Sequence, residues 1–220
     1  MNKVLTYIIG FVILIIPLGI AAILHEIAHG YAAYLLGDRT AKEAGRLTLN
    51  PFKHIDLFGT IIFPVLLRLA GFLPIILFKP VPIDPSNFKE PVKDSMKVAL
   101  AGPLTNFLLA FLTILLTRLF INIESVHNST FYAVYYNFFA EPFIIINLIL
   151  GIFNLIPFPP LDGHWILYGF LSPKYRFYFR KYKTYLSIFF LFLLLTGKIN
   201  LFLREILQFF YKILNFLLYL

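Results

Sequence analysis

The chain has 220 residues, 60% of them hydrophobic and 14% charged, with a mean hydropathy of +0.82 and no cysteine. Soluble domains run closer to half apolar and a quarter charged, so a soluble globular protein is excluded, and the missing cysteine excludes disulfides and thiolate metal sites. The net charge of +8 would suggest a nucleic-acid partner in a soluble protein; here the cations sit in loops between apolar runs, where they set topology and meet anionic headgroups of a lipid bilayer, so no nucleic acid is expected.

Residues 4–24, VLTYIIGFVILIIPLGIAAIL, carry no charge. They begin a predicted helix from about Val4 to Leu36, stopped by Gly37. No small-residue cleavage site accompanies the run, so it reads as mature protein rather than as a signal peptide. Its end reads His25-Glu26-Ile27-Ala28-His29, an H-E-x-x-H pattern. Positions four apart share a helix face, so His25 and His29 can grip one Zn²⁺. Glu26 beside them can take a proton from an activated water. A five-residue pattern also arises by chance, as two surface histidines near a glutamate. Three ionisable groups at membrane depth are costly and usually functional, which favours the metal site.

Residues 38–56 are polar and mixed, and Arg46-Leu47-Thr48-Leu49 alternates as a short strand ended by Asn50-Pro51. Residues 57–78 are apolar but interrupted by Pro64, Arg68, Gly71 and Pro74. Each half is too short to cross a bilayer alone, so a broken or re-entrant segment is expected. Residues 79–97 form a second polar loop with Lys79, Lys89, Lys93 and Lys97. Val98–Thr117 is an uncharged span, 118–137 a connector with Arg118 as its single cation, and 142–161 another uncharged run. Residues 173–183 are strongly basic, and the tail from Thr184 to Leu220 is apolar enough for one or two further helices.

If 57–78 re-enters, the basic loops 38–56, 79–97 and 173–183 all face one side, which is then cytoplasmic. The same topology places Asp162 on the face that carries His25 and His29. A full crossing would separate both sets. The expected architecture is therefore an all-α polytopic membrane protein in one domain, residues 1–220. It has about 4–6 membrane helices, a re-entrant segment and a small membrane-associated β-strand region. The core spans about residues 4–170, and C-terminal helices occupy about 184–220. The expected location is a prokaryotic cell membrane, with the site near the cytoplasmic face.

A catalytic zinc takes three protein ligands and keeps one open position. Asp162 is the candidate third ligand: it follows a long apolar run and precedes Gly163, and Pro157, Pro159 and Pro160 break the helix before it. Irregular backbone at that depth is tolerated only where it lines a polar cavity or is buried in protein. A simple Asp-Gly turn is the alternative. Together these segments resemble the site-2 protease family of intramembrane zinc metalloproteases, in a compact form without PDZ or CBS domains. Residues 25–29 match its H-E-x-x-H and residues 154–163, NLIPFPPLDG, its N-x-x-P-x-x-x-L-D-G type of motif. Residues 50–64 and 101–106, AGPLTN, are similar to family segments, and the likeness covers about residues 15–170.

The resemblance implies a metalloendopeptidase with one catalytic Zn²⁺, held by His25, His29 and Asp162, with Glu26 as the base and a transmembrane protein as substrate. It also favours a catalytic, carbonyl-polarising role for His54, which from the residues alone reads equally as a solvated loop histidine. Asn106 and Asn154 read either as interhelical hydrogen-bonding amides or as groups that position ligands or substrate. His164 departs from the family pattern, and His127 is expected to be incidental. The strand at 46–49 is a candidate for pairing with an unwound substrate. The alternatives to this reading are a membrane zinc hydrolase with a non-protein substrate, or a non-catalytic protein that binds transmembrane helices.

Overall fold

The computed structural model describes residues 3–69, 76–123, 129–197, 204–206, 208–213 and 216. In chain order its helices are α1 (Lys3–Leu35), the single turn α2 (Thr40–Glu43), α3 (Phe63–Leu69), α4 (Pro91–Ile121), α5 (Thr130–Asn154), α6 (Gly163–Phe170) and α7 (Pro173–Leu195). Three stretches are long and apolar enough to cross a membrane: Ile13–Leu35 within α1, and the whole of α4 and α5. Lipid tails are as apolar as leucine, so such helices associate through small residues and buried polar pairs. Helix α4 does this at the centre, packing on α1, α5 and α6. Ala21, Ala110 and Ile144 fill the interfaces, and Asn106, Asn147 and Thr117 are fully buried within them. The outer side of α4 exposes Leu104, Leu108, Phe111, Leu115 and Leu119 at helical spacing, a face suited to lipid.

Helix α1 ends where Gly37 was expected to stop it. Gly37 has φ +108°; its N–H donates to Tyr34 O at 3.1 Å, and Asp38 N–H donates to Ala33 O at 2.9 Å. These two bonds form a Schellman cap, which needs a left-handed residue at Gly37. The buried Asp38 carboxylate then ties this end to the later loop. It accepts from Asp84 N at 2.8 Å, Asn87 Nδ2 at 2.8 Å and Thr40 N at 3.1 Å. Burial alone would raise its pKa, but these donors outweigh it and hold the carboxyl below the usual carboxylate range.

The segment after residue 57 comes back to where it began. Leu77 N–H donates to Gly59 O at 3.0 Å, and Thr60 Oγ1 donates to Leu77 O at 2.7 Å. Residues 59 and 77 therefore lie at one level. Gly71 and Pro74, two of the predicted interruptions, fall outside the described residues, as does His127.

Three expectations change. No strand forms at 46–49, nor elsewhere among the described residues. The alternation there is real, but no neighbouring chain pairs with it; its polar groups serve the loop instead, with Arg46 N donating to Ala41 O and His54 Nε2 donating to Thr48 O. Helix α4 starts at Pro91, seven residues before the apolar run, because proline is tolerated at a first helical position whatever the hydropathy. The basic stretch 173–183 is helical rather than a loop, since Lys and Arg are good helix formers. The described helices supply three membrane-length spans, and in the tail residues 204–206 and 208–213 are also helical.

Replacing Asp38 by Asn is expected to destabilise the protein by about 1–3 kcal/mol, because an amide cannot accept all of these donors. The folded pKa lies below the unfolded one, so the carboxylate's contribution is complete above about pH 4 and fades as acid protonates it in the folded state. Thermal unfolding of the two proteins at pH 7 and at pH 3 should therefore differ more at pH 7.

Candidate metal centre

Helix α1 carries His25 and His29 on one face, inside its membrane-length stretch Ile13–Leu35. Both are buried, and each ring is fixed at the nitrogen that points away from the other. His29 Nδ1 donates to the backbone carbonyl of Val98 at 2.7 Å. A carbonyl can only accept, so the proton sits on Nδ1 and Nε2 is left as a lone pair. The tautomer of His25 is set from further away. Asn147 Nδ2 donates to Phe143 O at 2.8 Å, which turns its Oδ1 towards Asn106. Asn106 Nδ2 donates to that Oδ1 at 2.8 Å, and its own Oδ1 accepts from His25 Nδ1 at 2.6 Å. The relay runs from α5 through α4 to α1 and leaves Nε2 of His25 as a second lone pair.

Asp162 closes the set. Its Oδ2 is 3.1 Å from His25 Nε2 and 3.2 Å from His29 Nε2, and the two Nε2 atoms are 3.0 Å apart. Three electron-pair donors facing one another this closely repel unless a cation lies between them. Zinc–ligand bonds of about 2.0–2.1 Å in a tetrahedron put neighbouring ligand atoms about 3.3 Å apart. The observed triangle is nearly one face of that tetrahedron, so the residues fit a zinc ion with a fourth position open. Gly102 of α4 leaves the space: a Cβ there would stand 2.6 Å from His25 Nε2 and closer still to His29 Nε2.

The carboxylate of Glu26 lies on the wall of a cavity of about 410 Å³ that also holds His29 and Asp162. Its Oε2 accepts from Val81 N at 2.8 Å. Val81 stands between Pro80 and Pro82, so it has the one N–H in that triplet. The same strap is held at its other residues, with Lys79 N donating to His54 O at 2.9 Å and the Arg46 guanidinium donating to Lys79 O at 2.7 Å.

Of the residues singled out from the sequence, His25, Glu26, His29 and Asp162 come together. Asn106 touches a ligand histidine. His54 does not line the cavity: it is fully buried, its ring donates to Thr48 O, and its backbone carbonyl holds the strap. Asn154 donates to Leu150 O of its own helix, just before the loop that leads to Asp162. Asn147, Gly102 and Val81 were not foreseen. A buried amide in an apolar run was a signal for Asn147; nothing local marks Val81.

A model of peptidase family M50 matches residues 121–197. YwhC of Bacillus subtilis, named as a candidate zinc metalloprotease, is 39% identical over 183 residues, which cover 83% of this chain and 80% of that protein. The chain belongs to peptidase family M50. Rip2 of Mycolicibacterium smegmatis, another candidate zinc metalloprotease, is 28% identical over 94% of this chain and 76% of that protein. The zinc metalloprotease MJ0392 of Methanocaldococcus jannaschii is 26% identical over 77% of this chain and 37% of its own length. No solved structure matches the chain. As an M50 member it is a zinc metalloprotease, and His25, His29 and Asp162 are the group among its described residues that could hold the ion.

Two variants test this geometry. Gly102→Ala should favour the helix by about 1 kcal/mol on propensity, yet lower zinc affinity by roughly 10–100-fold by displacing the imidazoles; metal content and thermal stability measured together separate the two effects. Val81→Pro should reduce kcat by roughly 10–100-fold through loss of a charge-assisted hydrogen bond, with zinc retained, while Val81→Ala should keep near-normal turnover.

Proposed function

We propose that the chain is a zinc-dependent intramembrane endopeptidase that hydrolyses a peptide bond in or near a transmembrane segment of a membrane protein, and that residues 1–220 act as one catalytic domain. The observation that carries this reading is the meeting of Asp162 with His25 and His29 within Ile13–Leu35, a helical stretch long and apolar enough to span a bilayer. The site residues are assigned on their placement: His25, His29 and Asp162 to the metal, Glu26 to proton transfer.

His25, His29 and Asp162 would hold the zinc ion, which when bound would supply Lewis acidity to the scissile carbonyl and to a water. Glu26, steadied by Val81 N–H, accepts the proton of the attacking water and delivers it to the leaving amine. Asn106 and Asn147 hold the proton of His25 on Nδ1, as the Val98 carbonyl does for His29, which leaves both Nε2 atoms to the metal. His54 acts on the reaction through the strap rather than by touching the substrate. Asn154 is assigned to substrate positioning on its place before the Asp162 loop. A transmembrane substrate must unwind to expose its amides, because a helix satisfies them internally.

The hydrogen bonds between residues 59 and 77 support a re-entrant course for 57–78. With that course the basic loops share one side, which supports a cytoplasmic-facing site in a prokaryotic cell membrane. The tail beyond α7 would bring the spans into the range of four to six.

The test is Glu26→Gln in the full chain reconstituted with zinc. Metal stoichiometry should stay at one while cleavage of a transmembrane reporter falls at least about 10²–10⁴-fold; undiminished cleavage would overturn the role of Glu26.

A further inference from the structure

Beside the catalytic cavity lies a second one, also of about 410 Å³, and the two share Pro85, Ser95 and Trp165 on their walls. Apart from Pro91 and Val92 of α4, its remaining walls are aromatic and cationic. Helix α6 brings His164 and Tyr168, and α7 brings Phe179, Arg180 and Lys183. The rings pack on one another, with His164 nearly parallel to Phe179 at 6.3 Å and 4.8 Å from Trp165. The Lys183 ammonium sits 5.1 Å from the Trp165 ring centre.

No carboxylate lines this cavity among the described residues. The acidic groups on neighbouring elements have other partners: Asp94 pairs with Lys97 and Glu90 with Lys93, each at 2.7 Å, and Asp162 faces the two histidines. Two buried polar atoms of the wall residues, Ser95 Oγ and His164 Nε2, have no hydrogen-bond partner, an arrangement that is rare unless something is to be bound or bridged there.

We propose that this cavity is a subsite for an acidic side chain, Asp or Glu, of the substrate polypeptide near the scissile bond. The inference rests on the peptidase reading above. The three residues on both walls make the two cavities neighbours, so a chain leaving the catalytic cavity past Ser95 and Trp165 would enter this space next. Arg180 and Lys183 are then the donors for its carboxylate, and the rings cover its methylenes. Selectivity follows from the usual charge of membrane flanks. Cytoplasmic flanks of transmembrane segments are rich in Lys and Arg; such a flank meets two cations here and no acid, and is rejected. A carboxylate at this point marks the minority that fits. An anionic lipid headgroup would satisfy the same cations, but the wall shared with the catalytic cavity favours the polypeptide.

The experiment uses the full zinc-loaded chain and a transmembrane reporter that the wild type cleaves and Glu26→Gln does not. Each residue flanking the cleaved bond is varied to Asp, Asn and Lys. At one position the wild type should show kcat/KM about tenfold or more higher for Asp than for Asn, with Lys poorer than both. Arg180→Gln with Lys183→Gln should bring the Asp-to-Asn ratio near one by raising KM for the Asp reporter far more than for the Asn reporter. Arg180→Lys with Lys183→Arg should restore the preference. Cleavage without an Asp preference at any position, or a preference that survives the double variant, overturns the subsite and leaves the peptidase reading standing. Equal loss on all reporters that phosphatidylglycerol reverses and phosphatidylcholine does not would make it a lipid site and overturn the proposal. Cleavage by Glu26→Gln equal to wild type would instead strike the peptidase reading itself.

Discussion

Three lone pairs, on His25 Nε2, His29 Nε2 and Asp162 Oδ2, face one another at 3.0–3.2 Å inside a bundle built for lipid. Without a cation that arrangement is repulsive, and a bilayer offers no water to relieve it. Much of the structure reads as what is needed to hold it. Gly102 withholds a side chain so that the imidazoles have room. The Val98 carbonyl and the Asn106–Asn147 relay place the protons on the far side of both rings. Gly163 lets the loop behind Asp162 press against the carbonyls of Leu155 and Ile156, where a Cβ would collide.

The buried amides thus do two jobs. In a membrane bundle they hold helices together where hydrophobic attraction is weak. Here they also carry a sense of direction, because each carboxamide has one donor end and one acceptor end. The direction is set by a backbone carbonyl of α5 and ends as a tautomer on α1. Stability and metal chemistry therefore draw on the same hydrogen bonds.

The polar side of the site is assembled in a comparable way from a strap with little freedom. Residues 77, 79 and 81 are hydrogen-bonded in turn to residues 59–60, to His54 and Arg46, and to Glu26. Asp38 anchors the following turn at Asp84 and Asn87. The prolines at 80 and 82 stiffen the segment and remove competing donors, so that one N–H reaches the Glu26 carboxylate. His54, which its residue type marks as a chemical group, works here as a brace.

How much of this was open to reading from residue order follows from the range of each interaction. The H-E-x-x-H face, the stop at Gly37 and the long apolar spans rest on contacts within about one helical turn, so local spacing determined them. Asp162 was accessible too, because its apolar approach and the prolines before it mark irregular backbone at membrane depth. The strand expected at 46–49 was not decided locally, since a strand exists only with a neighbour to pair with, and none is there among the described residues. The bond from Val81 N to Glu26 spans 55 residues and that from His25 to Asn106 spans 81; no local pattern encodes such a pairing. The amino-acid sequence by itself determined which groups could bind a metal and that they lie in a membrane. Only the tertiary structure decided which groups face the outer nitrogens of both imidazoles, what holds the Glu26 carboxylate, and that His54 is bonded to Thr48 and Lys79, because these depend on which distant groups the folded chain brings within hydrogen-bonding distance.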